Sequence, residues 1–352
     1  MNNYEQLTDH LFVARRSRRE FAGAECIAFD CDGTMVDSRE SYDACIKRVG
    51  GLMLAQVLGR KGLRDVITDE IILKFRMTGG FNNDTDTAYA AILGAFAART
   101  DHVGRARRFI LDVAANAGPE GISSAERYLE RRGLGDLATE AKEALAYPGA
   151  IGSSVLGTAF DELFYGARLF RKQHGLRPGR RAGKGLINLD RLMISRECLD
   201  SVRAVFGGKV SIVSGRSKVA ATHSLRSVLR YFDLTASVFI EDEDKRAIAW
   251  GSGVNARKPE PFSMIKSMDA MRAQRAVYVG DSAEDLLMSK RASTGRRRVL
   301  FCGVHGDGRL APEIAAMFRA RGADAIMQSV NDLPAVLPPM TPAASRPGPT
   351  RS

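Results

Sequence analysis

The chain has 352 residues, of which 45% are hydrophobic and 26% charged, and its formal net charge is +11. These are the values of an ordinary soluble protein with room for one or two domains, and no apolar run approaches the roughly 18 residues of a membrane span. The N-terminus, MNNYEQLTDHLFVARRSRRE, has no apolar core of signal-peptide length, and the five cysteines (Cys26, Cys31, Cys45, Cys198, Cys302) form neither a CxxC pair nor a zinc-finger spacing.

That cysteine usage fits reduced thiols, so the expected compartment is the cytoplasm. A basic surface draws in anions, phosphorylated metabolites and nucleic acid alike. Without a zinc finger, an aromatic-studded basic sheet or a Lys-rich tail, composition alone does not favour nucleic acid.

In chain order, residues 1–25 read as a helical or loosely packed extension. Cys26–Phe29 is a short apolar run bounded by polar residues and predicts a strand. From 41 to 195 the spacing is mostly helical, as in SYDACIKRVGGLMLAQVLGR, TDTAYAAILGAFAARTD and FDELFYGARLFRKQHG. From 196 the texture changes. Predicted strands at Val210–Val213, within ASVFI, at Ala276–Val279, Val299–Cys302 and Ala325–Met327 alternate with helices, the pattern of a parallel sheet covered on both faces. The expected division is an extension (1–25), an α/β core (26–40 with 196–337), an inserted helical domain (41–195) and a Pro-rich, disordered tail (338–352).

In open α/β sheets the site lies beyond the carboxyl ends of the strands. After the first strand come Asp30, Asp32, Gly33 and Thr34; after the second, Ser214, Gly215 and Arg216; before the helix near 261, Lys258; after the strand at 276–279, Asp281 and Asp285. Carboxylates that share a site repel unless a cation sits among them. Oxygen donors without a His/Cys cluster point to Mg²⁺. A carboxylate can also attack phosphorus as a nucleophile, Lys258 would offset the added charge, and Ser214 and the amides around Gly33 would hold phosphate oxygens.

The four stretches FDCDGT, IVSGR, the lysine of RKPEP and GDSAED occur in the order found in the haloacid dehalogenase superfamily, and the chain resembles its subfamily I, phosphoglycolate phosphatase-like, over residues 26–38 and roughly 196–335. The resemblance implies a Rossmann-like core and an inserted helical cap of the first type. It implies Asp30 as nucleophile and metal ligand and Asp32 as general acid/base, with the Asp32 backbone carbonyl also on the metal. Gly33 and Thr34 would shape the phosphate loop, Ser214 and Gly215 would bind the phosphoryl group, and Lys258 would bridge it to the nucleophile. Asp281 would coordinate Mg²⁺, with Asp285 as ligand or support. Dehalogenase members lack the second aspartate, so Asp32 favours phosphorus chemistry. Cys31, between the two, is turned away from the metal by strand alternation.

The insertion of about 155 residues is larger than that cap usually is. Within KFRMTGGFNNDTDTAYA, Arg76, Asn82, Asn83 and Asp84 are candidates for substrate selection, with helix capping an equally good reading. GGFNND, FYGARLF and GKGLI also resemble a large-cap group of these hydrolases from archaea and cyanobacteria. Arg177, Arg180, Arg181 and Lys184 read first as a solvated loop. The expected activity is Mg²⁺-dependent hydrolysis of a small anionic phosphorylated metabolite through an aspartyl-phosphate. A phosphomutase with the same chemistry and a non-enzymatic phosphate- or RNA-binding module are the alternatives. Phosphoglycolate, a sugar phosphate and histidinol phosphate stay open, as does the oligomeric state.

Overall fold

The computed structural model describes residues 3–81, 83–179, 183–240, 242–243, 255–308 and 310–338. Asn82, Arg180, Arg181 and the Pro-rich segment from 339 onward lie outside the described residues. The chain divides into two compact units, Met1–Asp37 with Arg191–Ser352, and Ser38–Asp190.

The first unit is built on an eight-stranded sheet. Its strands are β1 (Tyr4–Thr8), β2 (Leu11–Ala14), β3 (Cys26–Phe29), β6 (Val210–Ser214), β7 (Val238–Phe239), β8 (Arg275–Gly280), β9 (Arg298–Val304) and β10 (Ala325–Met327). The order is β1-β2-β10-β9-β8-β3-β6-β7, parallel from β10 to β7, with β2 antiparallel to both β1 and β10. A separate two-stranded ribbon pairs β4 (Val36–Asp37) with β5 (Arg191–Leu192), next to the two points where the chain passes between the units.

Two-residue alternation divides the core between the sheet's faces. Ile27, Phe29, Val277, Val279, Leu300 and Cys302 join one apolar cluster; Cys26, Ala28, Ala276, Tyr278, Val299 and Phe301 join the other. Every residue of CIAF is buried, the state in which a parallel central strand reads as an unbroken apolar run.

The first 25 residues are not a helical or loose extension. They form the β1–β2 hairpin and carry the sheet two strands beyond β10. Leu11 and Val13 are fully buried, and Tyr4 Oη donates to the Ala323 carbonyl at 2.7 Å. Ser17 Oγ donates to the buried Asp324 carboxylate (2.5 Å), which also accepts from Arg298 Nη2 (2.8 Å) and the Phe301 amide (2.9 Å). The sequence of β1, YEQLT, runs for only five residues, with Tyr4 alone buried, too short a run to separate a strand from an amphipathic turn. Pairing with the sheet decides the matter.

The second unit is helical: Arg39–Gln56, Asp69–Arg76, Asp84–Ala97, Val103–Asn116, Ile122–Arg131, Gly135–Leu145 and Val155–His174. Asp84–Ala97 is its central helix, buried from Thr87 to Ala97, as its nearly uniform apolar composition requires. The polar groups around it are paired: Tyr89 Oη donates to Glu126 (2.7 Å) and Tyr147 Oη to Asp86 (2.5 Å). Among the described residues no helix is long and apolar enough to cross a membrane.

Candidate active site

Register brings the chemistry to one rim. β3 lies between β6 and β8, with Phe29 opposite Ile212 on one side and Val279 on the other. One residue past that level comes Asp30, and two residues past it come Ser214, which ends β6, and Asp281, which follows β8, so the three emerge at the same edge of the sheet. Asp30 stays tied to it, its amide donating to the Val279 carbonyl at 2.8 Å.

The loop that follows is closed by its own backbone. The Cys31 carbonyl accepts from the amides of Met35 and Val36, both at 2.9 Å, and the Gly33 amide donates to the Val36 carbonyl at 2.9 Å. Gly33 has φ +66°, and a Cβ there would lie 1.9 Å from Asp281 Oδ2. Both the left-handed backbone and the contact require glycine. Gly33→Ala is therefore expected to displace the Asp281 carboxylate and abolish any rise in melting temperature that millimolar Mg²⁺ gives the wild type, as read by calorimetry with and without the ion. An unchanged Mg²⁺ response would refute this role for Gly33.

Asp30 is almost wholly buried, at 6% exposure, and Lys258 Nζ sits 2.7 Å from its Oδ1. The same ammonium lies 2.6 Å from Asp285 Oδ1 and 5.6 Å above the Tyr278 ring. Asp285 Oδ1 is also 3.0 Å from Tyr278 Oη. Its Oδ2 accepts from the Ser282 amide (3.1 Å) and Ser282 Oγ (2.7 Å), while Ser282 Oγ accepts from the Asp285 amide, a reciprocal cap at the start of helix Ala283–Ala292. Both oxygens of Asp285 are thus engaged, in holding Lys258 and in starting the helix.

Burial pushes the Asp30 carboxyl up to about 6, against the pull of Lys258, with Asp285 and Asp32 adding to the rise. Burial, then Asp285 and Asp30, push Asp281 well above the usual carboxylate range. Burial opposes the charge on Lys258, but Asp285 and Asp30 outweigh it and hold the ammonium more firmly protonated than usual. Oxygens of Asp30, Asp281 and Asp285 lie within 4.8 Å of one another. Three carboxylates face one ammonium, so negative charge is left over in a buried place. These residues fit a hard divalent cation, since the donors are all oxygen and the excess charge needs a partner.

The carboxylate of Asp32 turns elsewhere. Arg216 Nε lies 2.8 Å from its Oδ1 and 2.9 Å from its Oδ2. The guanidinium is itself buried, with Nη1 donating to Ser224 Oγ at 2.9 Å, and the Arg216 amide donates to Ser214 Oγ at 3.3 Å. A Cβ on Gly215 would meet nothing within 4 Å, so that turn borders open space. Thr34 is fully buried, and its Oγ1 has no hydrogen-bond partner among the described residues. Cys31 is fully buried as well.

Asp30, Lys258, Asp281 and Asp285 are thus brought together, with Asp32 and Ser214 at the same rim joined through Arg216. Sequence reasoning placed Arg216 at the rim without giving it a role, and passed over Tyr278. Arg216 carried a signal, its place directly after Ser214-Gly215. Tyr278 carried none, because inside RAVYVG it reads as core. In the helical unit, Arg76 Nη2 bridges Asp43 (2.8 Å) and Asp84 (2.7 Å), and Asn83 Oδ1 caps helix Asp84–Ala97 by accepting from the amides of Thr85 and Asp86.

The fold is thus an α/β class with a mostly parallel sheet and a helical insertion, and its strand-end carboxylates could hold a metal ion. No family model and no curated protein matches the chain. Solved structures that share the fold include the following two. A Northeast Structural Genomics Consortium target has a TM-score of 0.64 at 16% identity, covering 89% of this chain and 98% of its own. Phosphatase Tt82 from Thermococcus thioreducens has a TM-score of 0.53 at 22% identity, covering 80% of this chain and 94% of its own.

Proposed function

We propose that the protein is a Mg²⁺-dependent phosphatase that hydrolyses a small phosphorylated metabolite through an aspartyl-phosphate, as in the haloacid dehalogenase superfamily. One observation carries the reading. A buried aspartate at the end of the central strand, Asp30, is paired with a buried lysine beside Asp281, and a second aspartate two residues on is held separately by Arg216. The likeness of the fold to phosphatase Tt82 supports it.

In this reading Lys258, Ser214, Gly215 and the backbone amides around Gly33 and Thr34 receive the phosphoryl group. Lys258 occupies Asp30 Oδ1, which leaves Oδ2 to attack phosphorus. The P–O bond to the leaving group breaks as the new P–O bond forms, and Asp32 gives its proton to the departing oxygen. Asp32 then takes a proton from water, whose oxygen attacks the phosphoryl group and returns Asp30 and inorganic phosphate. Arg216 acts on Asp32 by fixing where its carboxylate points. Asp30, Asp281 and the Asp32 backbone carbonyl would hold Mg²⁺, which when bound offsets charge on the phosphate and the carboxylates. Asp285, with both oxygens engaged, serves as the support for Lys258 rather than as a direct ligand.

The test is phosphate release from a panel of phosphorylated metabolites, with Mg²⁺ and with EDTA. Turnover of at least one small phosphomonoester is expected with Mg²⁺, together with loss in EDTA and in Asp281→Asn. A folded, Mg²⁺-loaded protein without phosphatase activity on any of them would overturn the assignment.

A further inference from the structure

The helical unit contains a cleft of about 590 Å³ that plays no part in the chemistry above, and every residue lining it belongs to Ser38–Asp190. It runs between the C-terminal half of helix Arg39–Gln56 and the segment around Arg64–Ile67. The two backbones meet at Gly51, where a Cβ would lie 2.1 Å from the Arg64 carbonyl oxygen. The close approach leaves a hollow walled by Leu52, Ala55, Ile67 and Leu163.

The mouth is cationic. Lys47, Arg48 and Arg64 line it against a single carboxylate, Asp65. Lys47 is taken up by an ion pair with Asp69. Among the described residues, Arg48 and Arg64 have neither an ion-pair nor a side-chain hydrogen-bond partner. An adjoining hollow of about 420 Å³ shares Lys47 and Arg48 but brings in Glu40, Asp43 and Asp69, so net positive charge is confined to the first cleft.

An apolar hollow of this size suits a small molecule, and two unpaired guanidinium groups at its mouth suit an anion. We propose that this cleft is a second binding site, for a small amphiphilic anion. Its apolar body would pack on Leu52, Ala55, Ile67 and Leu163, and its carboxylate, sulfonate or phosphate would meet Arg48 and Arg64. A purely polar anion leaves the hollow unfilled, and a cationic amphiphile is repelled at the mouth. The site does not depend on the phosphatase reading, and its test reads binding alone.

The probe is anilinonaphthalene sulfonate, titrated by fluorescence into the full chain. One saturable site is expected, with competition by decanoate and none by inorganic sulfate or decyltrimethylammonium. Arg48→Glu with Arg64→Glu should weaken the dye about tenfold or more, the scale of one lost charge-assisted contact. Ala55→Trp should fill the hollow and remove the site. Arg48→Gln with Arg64→Gln, a milder change on exposed positions, should fall between, with far-UV circular dichroism unchanged. Equal dye affinity in all three variants would overturn the proposal, as would equal competition by the cationic amphiphile. So would a dimer in sedimentation that Ala55→Trp dissociates without altering the dye, since the cleft would then seat a second copy of the chain.

Discussion

Asp30→Asn is expected to abolish turnover of p-nitrophenyl phosphate with Mg²⁺, by about 10⁴- to 10⁶-fold, the scale on which loss of a nucleophile acts. The fold should survive, because Lys258 keeps Asp285 as a partner at 2.6 Å. The metal-free variant should be at least as stable as the wild type at pH 7.5. The sign follows from burial, which raises the folded pKa of Asp30 from 3.8 to about 6. Between those values the folded state binds the proton that the unfolded state has released. The metal-free wild type therefore loses stability as pH rises through that window, and above it carries the full penalty. Asparagine does not ionise and escapes it. The checks are a kinetic assay and calorimetric scans from pH 4 to 8 without metal. Wild-type turnover in Asp30→Asn would remove it as nucleophile, and a stability gap between the two proteins that does not widen with pH would contradict the burial argument.

Lys258→Met should have the largest effect on stability. At pH 7 the contribution of Lys258 is fully present, because the neighbouring carboxylates hold its folded pKa well above 10.5. It would fade only in the alkaline range, as pH rose through the folded value. Removing the ammonium leaves the buried Asp30 and Asp285 and the part-buried Asp281 together without a counter-charge. Breaking a buried pair in this way costs about 3–5 kcal/mol, offset in part when Asp30 or Asp281 takes up a proton. For a unit of this size that lowers Tm by roughly 10 °C. Millimolar Mg²⁺ should restore more of the Tm in this variant than it adds to the wild type, since a bound cation supplies the missing charge. On the proposed mechanism it should not restore activity, because the phosphoryl group would still lack the Lys258 ammonium. Thermal scans with and without Mg²⁺ decide this. A Tm within a degree or two of the wild type would mean that Lys258 does not offset the buried carboxylates.

Much of the fold was legible because its signals are local. Cys26–Phe29 is a strand over the residues where the apolar run stands, and Ala325–Met327 likewise. The helix Arg196–Phe206 ends at Gly207 in the left-handed conformation, as its sequence suggests. The N-terminal hairpin was not legible, since YEQLT becomes a strand only when β2 finds β10. The stretch around Arg76 and Asn83 supports capping and substrate contact equally well as sequence, and the ion pairs to Asp43 and Asp84 are visible only in space.

The site divides in the same way. The groups at strand ends can be read from the sequence: Asp30 and Asp32 after CIAF, Ser214 closing β6, Asp281 after RAVYVG. Strand period and turn chemistry act over a few residues, so a linear reading reaches them. Which charge meets which is settled in three dimensions. Arg216 reaches Asp32 across 184 positions of sequence, and Lys258 reaches Asp30 across 228. Asp285 became the anchor of Lys258, and Tyr278 left the plain core to join it. Coulomb interaction and desolvation depend on distance and burial in three dimensions, quantities that no spacing along the chain encodes.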